Sequence, residues 1–473
     1  MRYIPAIGLE IHAELMTRSK VFCACSNHFG SERNIRCCPV CLGLPGALPV
    51  LNRKAVELAV SAGLLLGCKI ARHTRWDRKN YFYPDLTKAY QISQLYAPLC
   101  LGGGLETDGR FIRLNRIHLE EDAGKLIHEK NATFVDYNRA GVPLIEIVTE
   151  PDMLSADEAA SFAERVRQAL VYGDICDGKM EQGSLRVDAN ISLAPEGASV
   201  LGIRAEIKNI NSFRFLKKAI EYEIDRQTKI LDEGGRVIQE TRRFDDGAGE
   251  TYSMRSKEDA HDYRYFPDPD ILPLTISEAE IAAIRERLPE PPHVRFARYT
   301  NEFGLSARDA ETLLSRKTTA DFYDAAIALG ADPKSAANAV KTELLRCIKE
   351  AGREDEMIPI SPRDLAGALS MAAKNEITQE GLKTAIAYMY TEGKSFEEAA
   401  RDKNLIVRED LTLIQSAVRE VLAENADAAA KVASGNEKNQ KIMSFLFGQC
   451  MKKLKGKALP ATIQAELKKA LEG

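Results

Sequence analysis

The sequence predicts an α+β chain in which a strand-rich region comes first and an all-helical region follows. Three observations carry this. Four stretches within the first 193 residues alternate apolar and polar positions with period two, the pattern of half-buried strands. Leu288-Pro289-Glu290-Pro291-Pro292 is the clearest break in the chain, because successive prolines interrupt helix and ladder alike. Beyond it, apolar residues recur at helical spacing over Ala307 to Leu314, Thr319 to Leu329, Pro333 to Ala351, Pro362 to Lys374, Thr378 to Glu392 and from Arg408 onward. Strands segregated from helices in this way mark an α+β chain.

The four alternating stretches are Ile7 to Leu15 (IGLEIHAEL), Ile117 to Asp122 (IHLEED), Leu144 to Glu150 (LIEIVTE) and Leu185 to Leu193 (LRVDANISL). Each sets carboxylates beside strongly apolar neighbours. If the strands share one sheet, its polar face gathers Glu10, His12, Glu121, Glu146 and Asp188. Carboxylates brought together repel unless cations hold them, and hard oxygen donors with one imidazole suit Mg²⁺ or Mn²⁺. The competing reading is a set of solvated outer strand faces.

In chain order, Cys23, Cys25, Cys37, Cys38 and Cys41 come first, crowded into nineteen residues. Thiolates at two-residue spacing allow one tight turn to point two sulfurs at one ion, so Cys23, Cys25, Cys38 and Cys41 read as a structural Zn²⁺ knuckle, with Cys37 an alternative to Cys38. Cys68, Cys100, Cys176, Cys347 and Cys450 are scattered and read as small core residues. Leu51 to Gly67 is a packed helix with Asn52 as its N-cap. Trp76 to Gln94 mixes Lys79, Asn80 and Lys88 with Tyr81, Phe82, Tyr83 and Tyr90, a composition that suits an anionic planar ligand such as a nucleotide or an RNA end. Gly102-Gly103-Gly104 is a turn, and no Walker A sequence occurs, so any ATP must be held by metal-bound carboxylates and basic side chains. Ser155 with Glu158 predicts a capping box on a helix over 155–171. Ala205 to Phe213 adds Glu206 and Lys208 to the polar inventory, a helix follows over 212–232, and Thr241 to Pro273 reads as an ordered functional loop. In the last forty residues eight lysines, among them Lys452, Lys453 and Lys455, face three glutamates, with Phe445, Leu446 and Phe447 as a small core. Such a tail can lie on a phosphate backbone.

At 473 residues, two to four domains are expected. The net charge of −4 advertises no global affinity for nucleic acid. The N-terminus carries no apolar signal core and no apolar run reaches membrane-spanning length, so a cytoplasmic protein is expected, with thiols kept reduced or bound to metal.

Taken together, the motifs GLEIHAEL (Gly8 to Leu15), DRKNYFYPDLTKAYQISQ (Asp77 to Gln94), HLEEDAGK (His118 to Lys125), DYNRAGVPLIEIVTEP (Asp136 to Pro151), GSLRVDANISL (Gly183 to Leu193), DYRYFPDP (Asp262 to Pro269) and GQCMKKLKGKALP (Gly448 to Pro460) resemble one family. It is the GatB family, a component of the tRNA-dependent amidotransferases. Trp76 and Thr87 stand where Phe and Pro are usual, and some members lack the zinc cysteines. The resemblance implies a largely antiparallel, glutamine-synthetase-like cradle over 1–293, a helical domain over 294–403 and a YqeY-like, tRNA-binding tail over 404–473. It implies ATP-dependent phosphorylation of the side-chain carboxylate of misacylated Glu-tRNA or Asp-tRNA, then amidation by ammonia. The ammonia would be channelled from a GatA-like glutaminase, which a small GatC-like protein supports in a heterotrimer. Membrane and DNA play no part.

On the residues, the resemblance assigns Mg²⁺ to Glu10, His12, Glu121 and Glu146. It makes Lys79, Asn80, Arg186 and Lys208 candidates for ATP and phosphate contacts, and Glu206 a candidate for a second metal or an ammonium contact. Lys79, with the Mg²⁺ ligands and Glu206, makes up the expected catalytic set. Tyr81 and Tyr83, with Lys452, Lys453 and Lys455, are candidates for tRNA contact. Two other readings compete: a non-catalytic, zinc-containing RNA-binding factor, and a self-contained metal-dependent hydrolase that would act on ATP without tRNA.

Overall fold

The computed structural model describes residues 2–256, 263–352, 357–406, 411–433, 439–454 and 458–472. The chain divides into two compact units, Met1–Pro292 and His293–Gly473, with the division inside the proline-rich stretch.

The first unit is built on nine strands that matter below: β1 (Tyr3–Glu14), β2 (Asp77–Asn80), β3 (Tyr90–Ser93), β4 (Arg110–Glu121), β5 (Pro143–Thr149), β6 (Leu185–Pro195), β7 (Ala205–Lys208), β8 (Glu240–Asp245) and β9 (Glu250–Ser256). Seven of them lie in one ten-stranded sheet in the order β9-β8-β7-β6-β1-β5-β4, with short strands continuing beyond β4. The pairings along this path are antiparallel except the parallel pair β7 and β8. The four alternating stretches therefore become four consecutive neighbours, β6-β1-β5-β4. Their apolar side chains, among them Ile7, Leu9, Ile11, Ile117, Leu119, Ile145, Ile147, Val187 and Ile191, share the core face and are at most 1% exposed.

Three helices cover that core face: α1 (Arg53–Leu65), α2 (Ala156–Tyr172) and α3 (Phe213–Asp232). Each begins at a side-chain cap that satisfies an otherwise orphaned N–H. The amide of Lys54 donates to the Asn52 side chain, that of Glu158 to Ser155 and that of Phe215 to Ser212. The expected box at Ser155 is half formed. The Glu158 carboxylate accepts from Leu154 N at 2.8 Å and from Arg110 at 2.8 and 2.9 Å. A full positive charge on the adjacent strand draws it away from the Ser155 amide.

The stretch expected as a loop over 241–273 holds strands β8 and β9 in its first part; residues 257–262, including Asp262 of the DYRYFPDP motif, lie outside the described residues. Arg242 is 8% exposed and donates to Thr251 O at 2.6 Å, Thr251 Oγ1 at 2.8 Å and Glu240 Oε1 at 2.5 Å. Charged residues of a buried ion network hid this strand from a reading based on apolar alternation. Phe266–Pro267 pairs with β2, which pairs with β3. Arg78 fastens this small sheet through Asp268 at 2.8 Å and Asp270 at 2.7 Å, and lies over the Tyr90 ring at 4.2 Å.

The second unit is helical among the described residues. The expected continuous helix over 333–351 is interrupted by a π-helical turn, Val340–Leu344. Residues 407–410, where the last helical stretch was expected to begin, lie outside the described residues. Four helices, Leu411–Glu424, Ala426–Ala433, Asn439–Leu454 and Pro460–Glu472, share a core of Ile414, Val418, Val421, Leu446, Cys450, Leu454, Ile463 and Leu467. Leu446 is central to it and Phe447 packs on its edge, whereas Phe445 is exposed. All five scattered cysteines are buried. Among the described residues no helix is long and apolar enough to cross a membrane.

Candidate active face and cysteine cluster

Strand register decides which polar residues meet. Glu10 stands opposite Asp188 on β6, and His12 stands opposite both Arg186 on β6 and Glu146 on β5. Glu146 in turn faces His118 on β4, and Asn190 faces Glu206 on β7. Because side chains alternate, Glu10, His12, His118, Glu120, Glu146, Arg186, Asp188, Asn190, Glu206 and Lys208 project from one face of the sheet.

Two groups on this face have the geometry of cation sites. His12, Glu120 and Glu146 each offer a donor atom within 4.8 Å of the others, and so do Glu10, Asp188 and Glu206. In the first group Glu146 Oε2 is 3.4 Å from His12 Nε2 and 3.5 Å from His118 Nε2; His118 Nε2 is also 3.4 Å from Glu120 Oε2, which accepts from Ser93 Oγ at 3.0 Å. In the second, Lys208 Nζ lies 2.8 Å from both Asp188 and Glu206. Asn190 Nδ2 donates to Glu10 at 3.0 Å, and Thr241 Oγ1 donates to Glu206 at 2.9 Å.

The electrostatics sort these groups by role. Burial alone would raise the Glu146 pKa, but the charges of His118, His12 and Lys79 outweigh it and hold this carboxyl well below the ordinary range. Burial likewise opposes the His12 imidazolium, yet the hydrogen bond to Glu146 and its charge leave His12 raised. Glu10 is pushed up by burial and then by Glu146 and Glu206, so a bound cation would favour its ionisation. Lys79 and Lys208 both overcome burial and stay charged: Lys79 faces Glu120 and Glu146, Lys208 faces Asp188 and Glu206.

Glu121 does not join the metal group. It sits opposite Pro143 on the core face, 4% exposed; its Oε2 accepts from Lys88 Nζ at 2.6 Å and its Oε1 from Ile92 N at 2.9 Å. One residue along a strand crosses the sheet, so Glu120 occupies the place expected for Glu121. The signal was present in IHLEED: counting from buried Ile117 and Leu119, alternation selects His118 and Glu120. His118 was the other residue missed.

The remaining candidates are distributed unequally. Lys79 Nζ lies over the rings of Tyr263 at 5.0 Å and Tyr81 at 5.9 Å, and Tyr81, Tyr263 and Tyr265 stack edge to face. Tyr81 is half-buried and Tyr83 exposed. Asn80 is engaged by the backbone, donating to Arg264 O at 2.8 Å. Arg186 is paired with Asp122 at 2.7 Å, while its buried Nε lacks an acceptor. Lys452 is exposed; Lys453 is ion-paired with Glu420 at 2.8 Å and Glu424 at 2.7 Å; Lys455 lies outside the described residues.

Cys23, Cys25, Cys38 and Cys41 bring their sulfurs within 4.8 Å of one another, and Cys37 stands outside the group. Cys25 and Cys38 Sγ are 4.0 and 3.9 Å from Cys41 Sγ, close to the ~3.8 Å edge of a tetrahedron with ~2.3 Å Zn–S bonds. The Cys41 thiol is pushed down to about 4, by a hydrogen bond from Cys23 and further by the Cys38 amide and Lys20 against burial. The four thiols thus form a cluster able to bind a metal such as zinc.

Similarity to known proteins agrees with this layout. The GatB/GatE catalytic domain matches residues 5–282 and the GatB domain matches residues 321–471. The chain is 48% identical to the B subunit of the aspartyl/glutamyl-tRNA(Asn/Gln) amidotransferase from Ruminiclostridium cellulolyticum, over 100% of this chain and 98% of that one. It is 47% identical to the protein of the same name from Thermodesulfovibrio yellowstonii, over 100% of both. The face built by β6, β1, β5 and β4 lies wholly inside the matched catalytic region, and with identity of this order from end to end the chain belongs to the GatB family.

Proposed function

We propose that this chain is the component of a tRNA-dependent amidotransferase that activates and amidates the side-chain carboxylate of Glu or Asp carried on a misacylated tRNA. The observation that carries the reading is the pair of adjacent cation-ligand groups, His12–Glu120–Glu146 and Glu10–Asp188–Glu206, flanked by the two lysines Lys79 and Lys208. Oxygen donors with one imidazole fit Mg²⁺. Bound Mg²⁺ would screen the charge of ATP so that a carboxylate can approach it. Lys79, held charged among Tyr81, Tyr263 and Tyr265, can offset charge on the phosphates, and the free Nε of Arg186 is a further donor. Phosphoryl transfer gives an acyl phosphate and ADP; ammonia then forms the C–N bond as phosphate leaves with loss of one proton.

The relatives' names support the rest of the reading. Glutamine would supply the ammonia through a GatA-like partner, with a GatC-like third component, in the cytoplasm. The four-cysteine cluster would hold structural Zn²⁺, since four thiolates leave no open position for chemistry. A three-part division, with a catalytic cradle to 293, a helical domain to 403 and a tRNA-binding tail from 404, is supported by the separate core of the last four helices. The face of acidic groups disfavours a purely RNA-binding role, because it repels phosphate unless cations occupy it.

The test is amide formation on Glu-tRNA or Asp-tRNA by the chain co-purified with its two partners, with free ammonium in place of glutamine. Dependence on ATP, Mg²⁺ and Glu146 supports the reading. Retained tRNA binding without any amide would replace it with the RNA-binding factor, and ATP hydrolysis without tRNA would replace it with the hydrolase.

A further inference from the structure

Lys20 is fully buried, at 0% exposure. An ammonium out of water must place its three N–H donors and find compensating charge. Its Nζ donates to Arg36 O at 2.9 Å, Tyr137 O at 3.3 Å and Cys41 Sγ at 3.6 Å. Of these three acceptors only the sulfur can carry a full negative charge. Four thiolates around a divalent ion carry a net charge of −2, and one ammonium in contact would halve it.

The same lysine connects two parts of the chain that are far apart in sequence. Lys20 N donates to Cys25 O at 2.9 Å within the knuckle, while Val21 N donates to Gly141 O at 2.9 Å. The segment 137–141 is also held by Arg139, which donates to Ala123 O at 2.9 Å and Gly124 O at 3.0 Å, and by Gly141 N, which donates to Asp122 O at 2.9 Å. It leads directly into β5, which carries Glu146.

We propose that Lys20 is the counter-ion of the four-cysteine cluster, so that retention of the metal and anchoring of segment 137–141 beside β5 are one property. This rests on the reading of the cluster as a zinc site. Lys20 is a positioning residue, acting through Cys41 and the Tyr137 carbonyl.

The test uses the full chain with Zn²⁺ or Co²⁺, against Lys20→Met and Lys20→Arg. Chelator competition should show Lys20→Met losing roughly 10- to 100-fold in metal affinity, the usual effect of removing a group that supports a metal ligand. Lys20→Arg, which keeps the charge, should lose much less. In the Co²⁺ form, the sulfur-to-metal charge-transfer band should move to longer wavelength in Lys20→Met, because an N–H···S bond lost leaves the sulfur electrons easier to remove. Affinity within about threefold of the parent and an unmoved band would overturn the proposal. If Lys20→Met does not fold, hydrogen exchange on the parent chain decides: the amides of Ala140, Gly141 and Val142 should lose protection when the metal is stripped, and unchanged protection would overturn it. No bound metal in the native chain would overturn both this proposal and the zinc reading, whereas bound metal with unchanged affinity in Lys20→Met would overturn this one alone.

Discussion

Glu146→Gln in the metal-free chain separates electrostatic from merely steric roles for the central carboxylate. Glu146 Oε2 lies 3.4 Å from His12 Nε2, a pair worth about 5 kcal/mol gross at an effective dielectric of ~20, most of which burial offsets. In the variant the neutral amide still accepts a hydrogen bond, and His12 can escape a lone buried charge by losing its proton. At pH 5.5, one unit below the ordinary imidazole value of 6.5, that escape costs about 1.4 kcal/mol; the weakened hydrogen bond adds about 0.5 to 1 kcal/mol. A loss of about 2 kcal/mol follows. The sign depends on pH. The lowered pKa of Glu146 contributes stability above its ordinary value of 4.5 that fades as pH falls through the folded value. The raised pKa of His12 contributes stability below 6.5 that is lost as pH rises through its folded value. The variant's deficit should therefore be greatest near pH 5 to 6.5 and smaller at pH 9. Trp76, the only tryptophan in the chain and 1% exposed, lies in the first unit, so its fluorescence during urea unfolding in EDTA follows that unit. Equal deficits at pH 5.5 and pH 9 would refute the assigned coupling.

Three other expectations use the same fluorescence or metal analysis. Cys38→Ser should release the knuckle metal and lower stability, whereas Cys37→Ser should keep one metal per chain, because only Cys38 joins the cluster; full metal retention in Cys38→Ser would contradict the ligand set. Asn52→Ala should cost about 1 to 2 kcal/mol, since Asn52 caps α1 and also donates to Ser19 O and Lys20 O; a change below about 0.5 kcal/mol would show the cap to be replaceable. Gly63→Ala should destabilise by about 1 to 3 kcal/mol despite alanine's better helix propensity, because the new Cβ would come within 2.4 Å of Cys100 Sγ and 2.9 Å of Ile70 Cδ1; a rise in the urea midpoint would show that α1 shifts freely.

The sheet was legible where one face is apolar and the other is not. In β1 and β6 every second residue is aliphatic, so strand, face and cation-binding character follow from the sequence. Glu120 and Glu121 are adjacent carboxylates with opposite fates, and only strict counting from Ile117 separates them. Strand β8 escaped because its inward residue Arg242 is neutralised by Glu240 and Thr251, a compensation that composition does not display. Lys20 escaped for a related reason. Its acceptors come from residues 36, 41 and 137, and nothing near Ser19-Lys20-Val21 announces a buried charge. Long-range partners decide such residues, whereas period-two patterns are local.

The most direct test of the central claim is Mn²⁺ binding followed by electron paramagnetic resonance in Glu120→Gln and Glu121→Gln, alongside the parent chain. The polar face of the sheet predicts that Glu120→Gln weakens Mn²⁺ binding at least tenfold, while Glu121→Gln, altered on the opposite side, binds within a few-fold of the parent. The reverse ranking would place the cation on the other face and contradict the assignment of His12, Glu120 and Glu146 to one site.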